Sequence, residues 1–207
     1  MSDATEVLGG NRIVPVVVID DAGAAPDLAD ALSGGGITCA EITLRTPAGI
    51  DAIRAVAGRT DFIVGAGTVL TADQVDAAAD AGAAFLVSPG LDDAVIARAT
   101  ERGIPIVPGV ATATEIQRAL AHGIRHLKLF PAGAIGGLGA VRAFAGPFPE
   151  VRFLPSGGVS IDNAAAYLDH PSIFAVSGSW MVPSAAIVAG DFETVRALSA
   201  EATQAVS

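Results

Sequence analysis

Eight short apolar runs recur along this 207-residue chain, separated by stretches rich in alanine. They are Ile13–Ile19, Ala40–Leu44, Phe62–Thr68, Phe85–Ser88, Pro105–Val110, His126–Phe130, Arg152–Leu154 and Phe174–Ser177. Most are rich in Val, Ile, Leu and Phe and bounded by Gly or Pro, the pattern of strands buried in a parallel sheet. Landmarks near their C-terminal ends (Leu44, Thr68, Pro89, Gly109, Phe130, Gly158, Ser179) are spaced by 24, 21, 20, 21, 28 and 21 residues. A strand, a loop, a helix and a return loop fill about that length. Eight such units predict a closed (β/α)8 TIM barrel at the compact end of its size range. An open doubly wound sheet is the alternative, but it would place its Gly-rich turn early. Here the Gly-rich turns fall late, at Gly157-Gly158 and Gly178. With no linker or low-complexity segment, residues 1–207 read as a single domain.

The alanine-rich stretches carry helix punctuation. Thr71 caps a helix that Gly82 ends; Thr112 or Thr114 caps one that stops at Gly123. Asp92-Asp93 precedes a helix ending near Gly103, and Asp191 starts the last.

Composition narrows the class. Hydrophobic residues make up 51% and charged residues 16%, enough apolar material for a core. A net charge of −10 argues against nucleic acid and anionic membrane as partners, since no basic patch can neutralise phosphates. The polar, acidic stretch Met1–Gly10 has no leader pattern, and no apolar run approaches 18 residues, so a cytoplasmic location is expected. The single cysteine, Cys39, excludes a disulfide framework and reads as a small core residue.

Of the 12 basic residues, 11 are arginine, and the only lysine is Lys128. Strand alternation indicates where it points. In the second run Glu41, Thr43 and Arg45 share one face, and Ala40, Ile42 and Leu44 the other. In the sixth, His126, Lys128 and Phe130 oppose Leu127 and Leu129. The apolar sets suit a helix layer, so Lys128 and Glu41 are expected to point inward. Desolvation disfavours the ammonium form, and a neutral amine attacks ketones to form a Schiff base, an electron sink. Glu41 would carry protons, and Arg45 would offset its charge. A buried Lys–Glu ion pair without catalysis is the competing reading.

The other polar residues at strand ends suggest ligand contacts. Arg45 offers a fork suited to a carboxylate, against the alternative of a surface salt bridge. Thr68, after Gly65-Ala66-Gly67, could hold a carboxylate or carbonyl oxygen, or simply end a strand. Pro155-Ser156-Gly157-Gly158-Val159-Ser160 and Ser177-Gly178-Ser179 read as two anion-binding turns, in the seventh and eighth loops where barrels commonly bind phosphate. Trp180 would either line the site mouth or pack. A metal site is not expected, because Gly123 separates His122 from His126 and His170 is remote.

Taken in order, Glu41-Ile42-Thr43-Leu44-Arg45-Thr46, Gly65-Ala66-Gly67-Thr68-Val69-Leu70, Ser88-Pro89-Gly90-Leu91, Pro108-Gly109-Val110, Lys128-Leu129-Phe130-Pro131-Ala132 and Gly178-Ser179-Trp180 resemble the 2-keto-3-deoxy-6-phosphogluconate aldolase family, which includes the 4-hydroxy-2-oxoglutarate aldolases. The resemblance runs from about Ile13 to the last helix. It implies a class I, Schiff-base lyase of carbohydrate metabolism that yields pyruvate and glyceraldehyde 3-phosphate and needs no cofactor or metal. Lys128 resembles the Schiff-base lysine and Glu41 the acid/base residue, working through water. Arg45 and Thr68 resemble the pyruvate-carboxylate ligands. Pro89 and Phe130 would line the pocket, and Gly157, Gly158 and Ser179 would bind phosphate, with Gly178 in the same turn. The family is typically a homotrimer. Two departures stand out: Lys-Leu-Phe-Pro where Lys-Phe-Phe-Pro is usual, with Leu129 expected to face the helices, and Ser156 where threonine is usual, which bears on the aldehyde half of the substrate.

The expected partners are therefore a phosphorylated keto-deoxy acid and pyruvate. The same mechanism could serve 4-hydroxy-2-oxoglutarate, the galactonate epimer or a non-phosphorylated acid. A metal-dependent sugar-phosphate isomerase and a catalytically dead phosphate-binding barrel are the readings from other classes.

Overall fold

The computed structural model describes residues 4–207. Met1–Asp3, the start of the stretch read for a leader, lie outside the described residues. The elements begin with α1 (Ala4–Val7), β1 (Ile13–Val17), α2 (Ala25–Gly34), β2 (Cys39–Thr43), α3 (Gly49–Val56), β3 (Ile63–Gly67) and α4 (Ala72–Asp80). They continue with β4 (Leu86–Val87), α5 (Asp93–Glu101), β5 (Ile106–Val107), β6 (Gly109–Val110), α6 (Ala113–Ala121) and β7 (His126–Leu129). The last are α7 (Leu138–Ala145), β8 (Arg152–Pro155), α8 (Ile161–Leu168), β9 (Val176–Gly178), α9 (Ser184–Ala189) and α10 (Phe192–Ala205). Every one of the eight apolar runs lies on a strand, the fifth divided into β5 and β6 at Pro108.

All strand pairs are parallel. One curled sheet runs β5-β4-β3-β2-β1-β9 and a second runs β6-β7-β8. Isolated bridges, Phe153 to Ile173 and Ser156 to Ser177, link β8 to the chain around β9. Parallel pairing carries every strand's C-terminal end to the same side, which gathers the loops holding the expected site residues.

The period-two pattern sorts the core into two layers. Ile13, Val17, Ala40, Ile42, Val64, Ala66, Leu127, Leu129 and Phe153 face outward and pack with helix residues such as Leu28, Leu32, Ile53 and Ile116. Leu129, where the family has phenylalanine, is thus in the helix layer, as the alternation predicts. The inner face carries Val14, Cys39, Phe85, Val87, Val107, Leu154 and Ala175, joined by Leu8 from the segment after α1. Leu8 is not anticipated by the sequence reading, which treats the N-terminal stretch only as polar.

The predicted helix punctuation holds. Thr71 caps α4 and Asp92 caps α5 through their side chains. For α6 the cap is Thr112 rather than Thr114, in a reciprocal box with Glu115. Asp191 caps α10. Gly82, Gly103 and Gly123 all have positive φ just past their helices, where a side chain would be strained.

Candidate active site

Two strands that lie in different sheets bring their inner faces together at one ion pair. Lys128 Nζ, from β7, lies 3.0 Å from Glu41 Oε1, from β2. Lys128 is 5% exposed and Glu41 0%. A pair this withdrawn from solvent interacts strongly but carries a large desolvation cost, so it needs further contacts to hold its geometry. Ser177 Oγ, from β9, donates to the same Glu41 oxygen at 3.2 Å. The other carboxylate oxygen, Oε2, is buried and has no protein hydrogen-bond partner. Lys128 Nζ also stands 5.6 Å from the centroid of the Phe130 ring.

Glycines make room for these groups. Gly67 on β3 pairs in register with Thr43, two residues beyond Glu41 on the same face. A Cβ at Gly67 would stand 2.7 Å from Glu41 Oε2. Gly65 accommodates the Phe85 ring, which a Cβ there would meet at 2.5 Å. These two glycines are the ones the sequence places before Thr68. Their role in the structure is to free volume for neighbouring side chains.

Arg45 lies past the end of β2 and is exposed. Its Nε donates to Thr68 Oγ1 at 3.2 Å. The structure thus brings Arg45 and Thr68 together, as two candidate carboxylate ligands should be. Among the described residues the direct ion-pair partner of Glu41 is Lys128, while Arg45 bonds to Thr68. Thr68 adopts φ 59°, a left-handed conformation that costs a threonine energy and is held only where surroundings dictate it. Thr43, on the inward polar face, spends its hydroxyl on Val17 O at 2.9 Å, a strand-to-strand tie.

Pro89 and Phe130 are both half-buried, just past β4 and β7. Pro89 lies against Gly109, where a Cβ would stand 2.2 Å from Pro89 O. Gly157 and Gly158 have φ 82° and 83°, two successive left-handed residues that few other amino acids could supply. Their loop is tied to the β7 loop by Gly133 N donating to Gly157 O at 2.8 Å. It is tied to the start of α8 by Asn163 Nδ2 donating to Gly158 O at 2.9 Å. Ser156 is buried beside them, its amide bonded to Leu129 O at 3.0 Å. Ser179 is exposed at the rim. Trp180 is half-buried and packs on the core, its ring lying over Gly178, where a Cβ would meet Cζ3 at 2.2 Å.

Ser177 makes a contact that sequence reasoning missed. It opens the turn read as anion-binding, and its fully buried side chain points to Glu41. Strand parity carried the signal, since Ala175, Ser177 and Ser179 alternate with the outward Val176. Cys39, two residues before Glu41, is buried and donates weakly to Ile13 O at 3.4 Å. Burial, with the Glu41 charge second, pushes its thiol up to about 12. His122 contacts Asp93 at 2.9 Å and is exposed, and His126 stacks edge-on to Phe174 at the other end of the strand layer.

Comparison with known proteins places this geometry in a family. Residues 4–198 match the model described as KDPG and KHG aldolase, KDPG being 2-keto-3-deoxy-6-phosphogluconate. The chain is 47% identical over 202 residues to the 2-dehydro-3-deoxy-phosphogluconate aldolase of Treponema pallidum, covering 97% of this chain and 96% of that one. It is 42% identical over 204 residues to the KHG/KDPG aldolase of Escherichia coli K12, covering 98% and 96%. Among solved structures, it superposes with a TM-score of 0.92 on the KDPG aldolase of Legionella pneumophila, at 38% identity and 96% and 97% coverage. That protein was captured with pyruvate at low pH as a covalent carbinolamine intermediate. With relatives this similar over nearly its whole length, the chain belongs to the KDPG and KHG aldolase family.

Proposed function

We propose that this chain is a class I aldolase that cleaves 2-keto-3-deoxy-6-phosphogluconate to pyruvate and glyceraldehyde 3-phosphate through a Schiff base on Lys128. The observation that carries the reading is the buried Lys128–Glu41 contact of 3.0 Å between the inner faces of β7 and β2. Glu41 takes a proton from the ammonium, leaving a neutral amine that adds to the C2 ketone. The carbinolamine hydroxyl leaves as water with a proton returned by Glu41, and the C=N bond forms. Removal of the C4 hydroxyl proton then breaks the C3–C4 bond. Its electron pair moves to C2–C3, and the iminium becomes an enamine while the aldehyde departs. Protonation at C3 and hydrolysis release pyruvate. The iminium stabilises charge that exists only as the bond breaks, so it acts on the transition state.

In this reading Arg45 and Thr68 hold the keto-acid carboxylate, and Pro89 and Phe130 shape the pocket. Gly157, Gly158 and Ser179 receive the phosphate, with Gly178 in the same turn, and Ser156 bears on the aldehyde half of the substrate. The carbinolamine captured in the Legionella pneumophila relative supports covalent chemistry with pyruvate. The β8–β9 bridges and the continuity of β5 and β6 across Pro108 favour a closed eight-stranded barrel, one domain over residues 1–207. A homotrimer is proposed on family resemblance, with sedimentation velocity as its check. No described helix is long and apolar enough to cross a membrane, which accords with a cytoplasmic location.

Borohydride reduction in the presence of pyruvate tests the assignment. With one lysine in the sequence, the adduct must map to Lys128 or to the N-terminal amine. Peptide mass mapping should place it on Lys128, and an unmodified Lys128 would refute the mechanism. A second reading, cleavage of 4-hydroxy-2-oxoglutarate by the same steps, is favoured by the double name of the Escherichia coli relative. Comparing kcat/KM for acids with and without the phosphate decides between them, and equal values would count against the phosphorylated substrate.

A further inference from the structure

Glu41 Oε1 accepts two hydrogen bonds, one from Lys128 Nζ at 3.0 Å and one from Ser177 Oγ at 3.2 Å. The first of these must change during the proposed reaction. An ammonium offers three protons and a full charge. Once the nitrogen becomes a carbinolamine and then an iminium, that anchor is weakened or withdrawn. Ser177 takes no part in covalent change. It is fully buried on β9 and reaches the carboxylate from a different strand than Lys128. The remaining oxygen, Oε2, is buried without a protein partner and rests over Gly67. A buried carboxylate oxygen left in that state is costly unless a water or substrate hydroxyl completes it.

We propose that Ser177 is a positioning residue for Glu41: its hydroxyl holds Oε1 in place while Lys128 changes covalent state, so that Oε2 stays presented to a water or a substrate hydroxyl. The proposal rests on the aldolase reading above. The titratable groups that face the carboxylate are Lys128 from β7 and Cys39 from its own strand. Arg45 is exposed and bonds to Thr68 rather than to Glu41. Ser177 therefore supplies the neutral fixed donor in a site whose other contact to Glu41 is the reacting amine.

The test is the Ser177→Ala variant of the full chain, with Ser177→Cys as a weak-donor companion of similar size. Removing a hydrogen bond to a charged group should lower kcat for cleavage by roughly ten- to a hundredfold. KM should change little, because the hydroxyl makes no contact needed for substrate binding. Hydrogen bonding to the ionised form favours it, so the acid limb of the kcat profile should move to higher pH in Ser177→Ala. Ser177→Cys should fall between the two. Pyruvate trapping by borohydride should still label Lys128 in Ser177→Ala, more slowly. An unchanged kcat and acid limb would overturn the proposal. A lowered Tm with an unmoved pH profile would also overturn it, by showing a merely structural role. If the unmodified protein traps no pyruvate on Lys128, the aldolase reading falls first and this proposal with it.

Discussion

Glu41 and Gly67 fit as a pair: the carboxylate Oε2 occupies the space a side chain on Gly67 would fill, 2.7 Å from where its Cβ would stand. Backbone conformation does not require glycine here, since Gly67 is not among the residues with positive φ. The constraint is steric and comes from the proposed acid/base group. Gly67→Ala should therefore fold and still reduce kcat by tenfold or more, because displacing a reacting group by a fraction of an ångström is expensive in rate. Circular dichroism and steady-state kinetics on the same preparation check this, and a fully active variant would show that the carboxylate tolerates displacement.

Breaking the buried pair should cost stability as well as activity. Lys128→Met leaves Glu41 buried without its cation, a change worth about 3–5 kcal/mol in comparable buried pairs. The double variant Lys128→Met with Glu41→Gln should recover part of that loss, so the two single effects will not add. Urea unfolding of the four proteins measures the coupling. Additive losses would mean the contact is energetically idle.

The alkaline limb of stability should carry the signature of Cys39. Its thiol is raised from about 9 to about 12 by burial and, second, by the Glu41 charge. The folded state keeps the proton that the unfolded chain gives up. This contribution is therefore complete below about pH 9 and is lost as pH rises from there to about 12. Between those values Cys39→Ala should show a shallower fall in ΔG than the unmodified protein, by about 1.4 kcal/mol per pH unit at most. Chemical denaturation at several alkaline pH values reads the slopes, and identical slopes would mean the thiol titrates normally.

The α6 cap offers a control at a helix start to which the proposed mechanism assigns no role. Glu115 accepts from Ala111 N and Thr112 N at 2.8 and 2.9 Å. Burial opposes its ionisation, but these bonds and the Thr112 hydroxyl outweigh it and hold the carboxyl below its usual range. Its contribution is present above about pH 4.5 and lost as pH falls below that. Thr112→Ala should cost about 1 kcal/mol, or about 2–4 °C in Tm for a chain of this size, with kcat unchanged. Calorimetry at neutral pH checks the magnitude. A change in kcat would mean α6 communicates with the site.

Much of this was legible in the residues because the relevant forces are local. The period-two alternation of Glu41, Thr43 and Lys128 against Ile42, Leu127 and Leu129 follows from strand geometry, and it placed the amine and the carboxylate on inner faces. Caps at Thr71, Asp92 and Asp191 depend only on the next few residues. What stayed hidden depends on closure across the sheets. The hydroxyl of Ser177 meets Glu41 across 136 residues of sequence. Side-chain alternation alone names a face for it but not a partner. Arg45 shares parity with Glu41, yet the strand has already turned by that point, so parity no longer describes its direction. Leu8 was hidden for the opposite reason: the pair Val7-Leu8 in a polar stretch is too short to show periodicity.

The inner apolar cluster that Leu8 completes includes Cys39, two residues before Glu41, and fills the inner face of the strands. The loops that hold the proposed substrate contacts gather beside the strand C-termini. A keto acid tethered through its second carbon cannot withdraw until water has cut it loose, whereas the severed aldehyde has nothing holding it. On the proposed mechanism the tether alone sequences departure, aldehyde fragment first and three-carbon acid last.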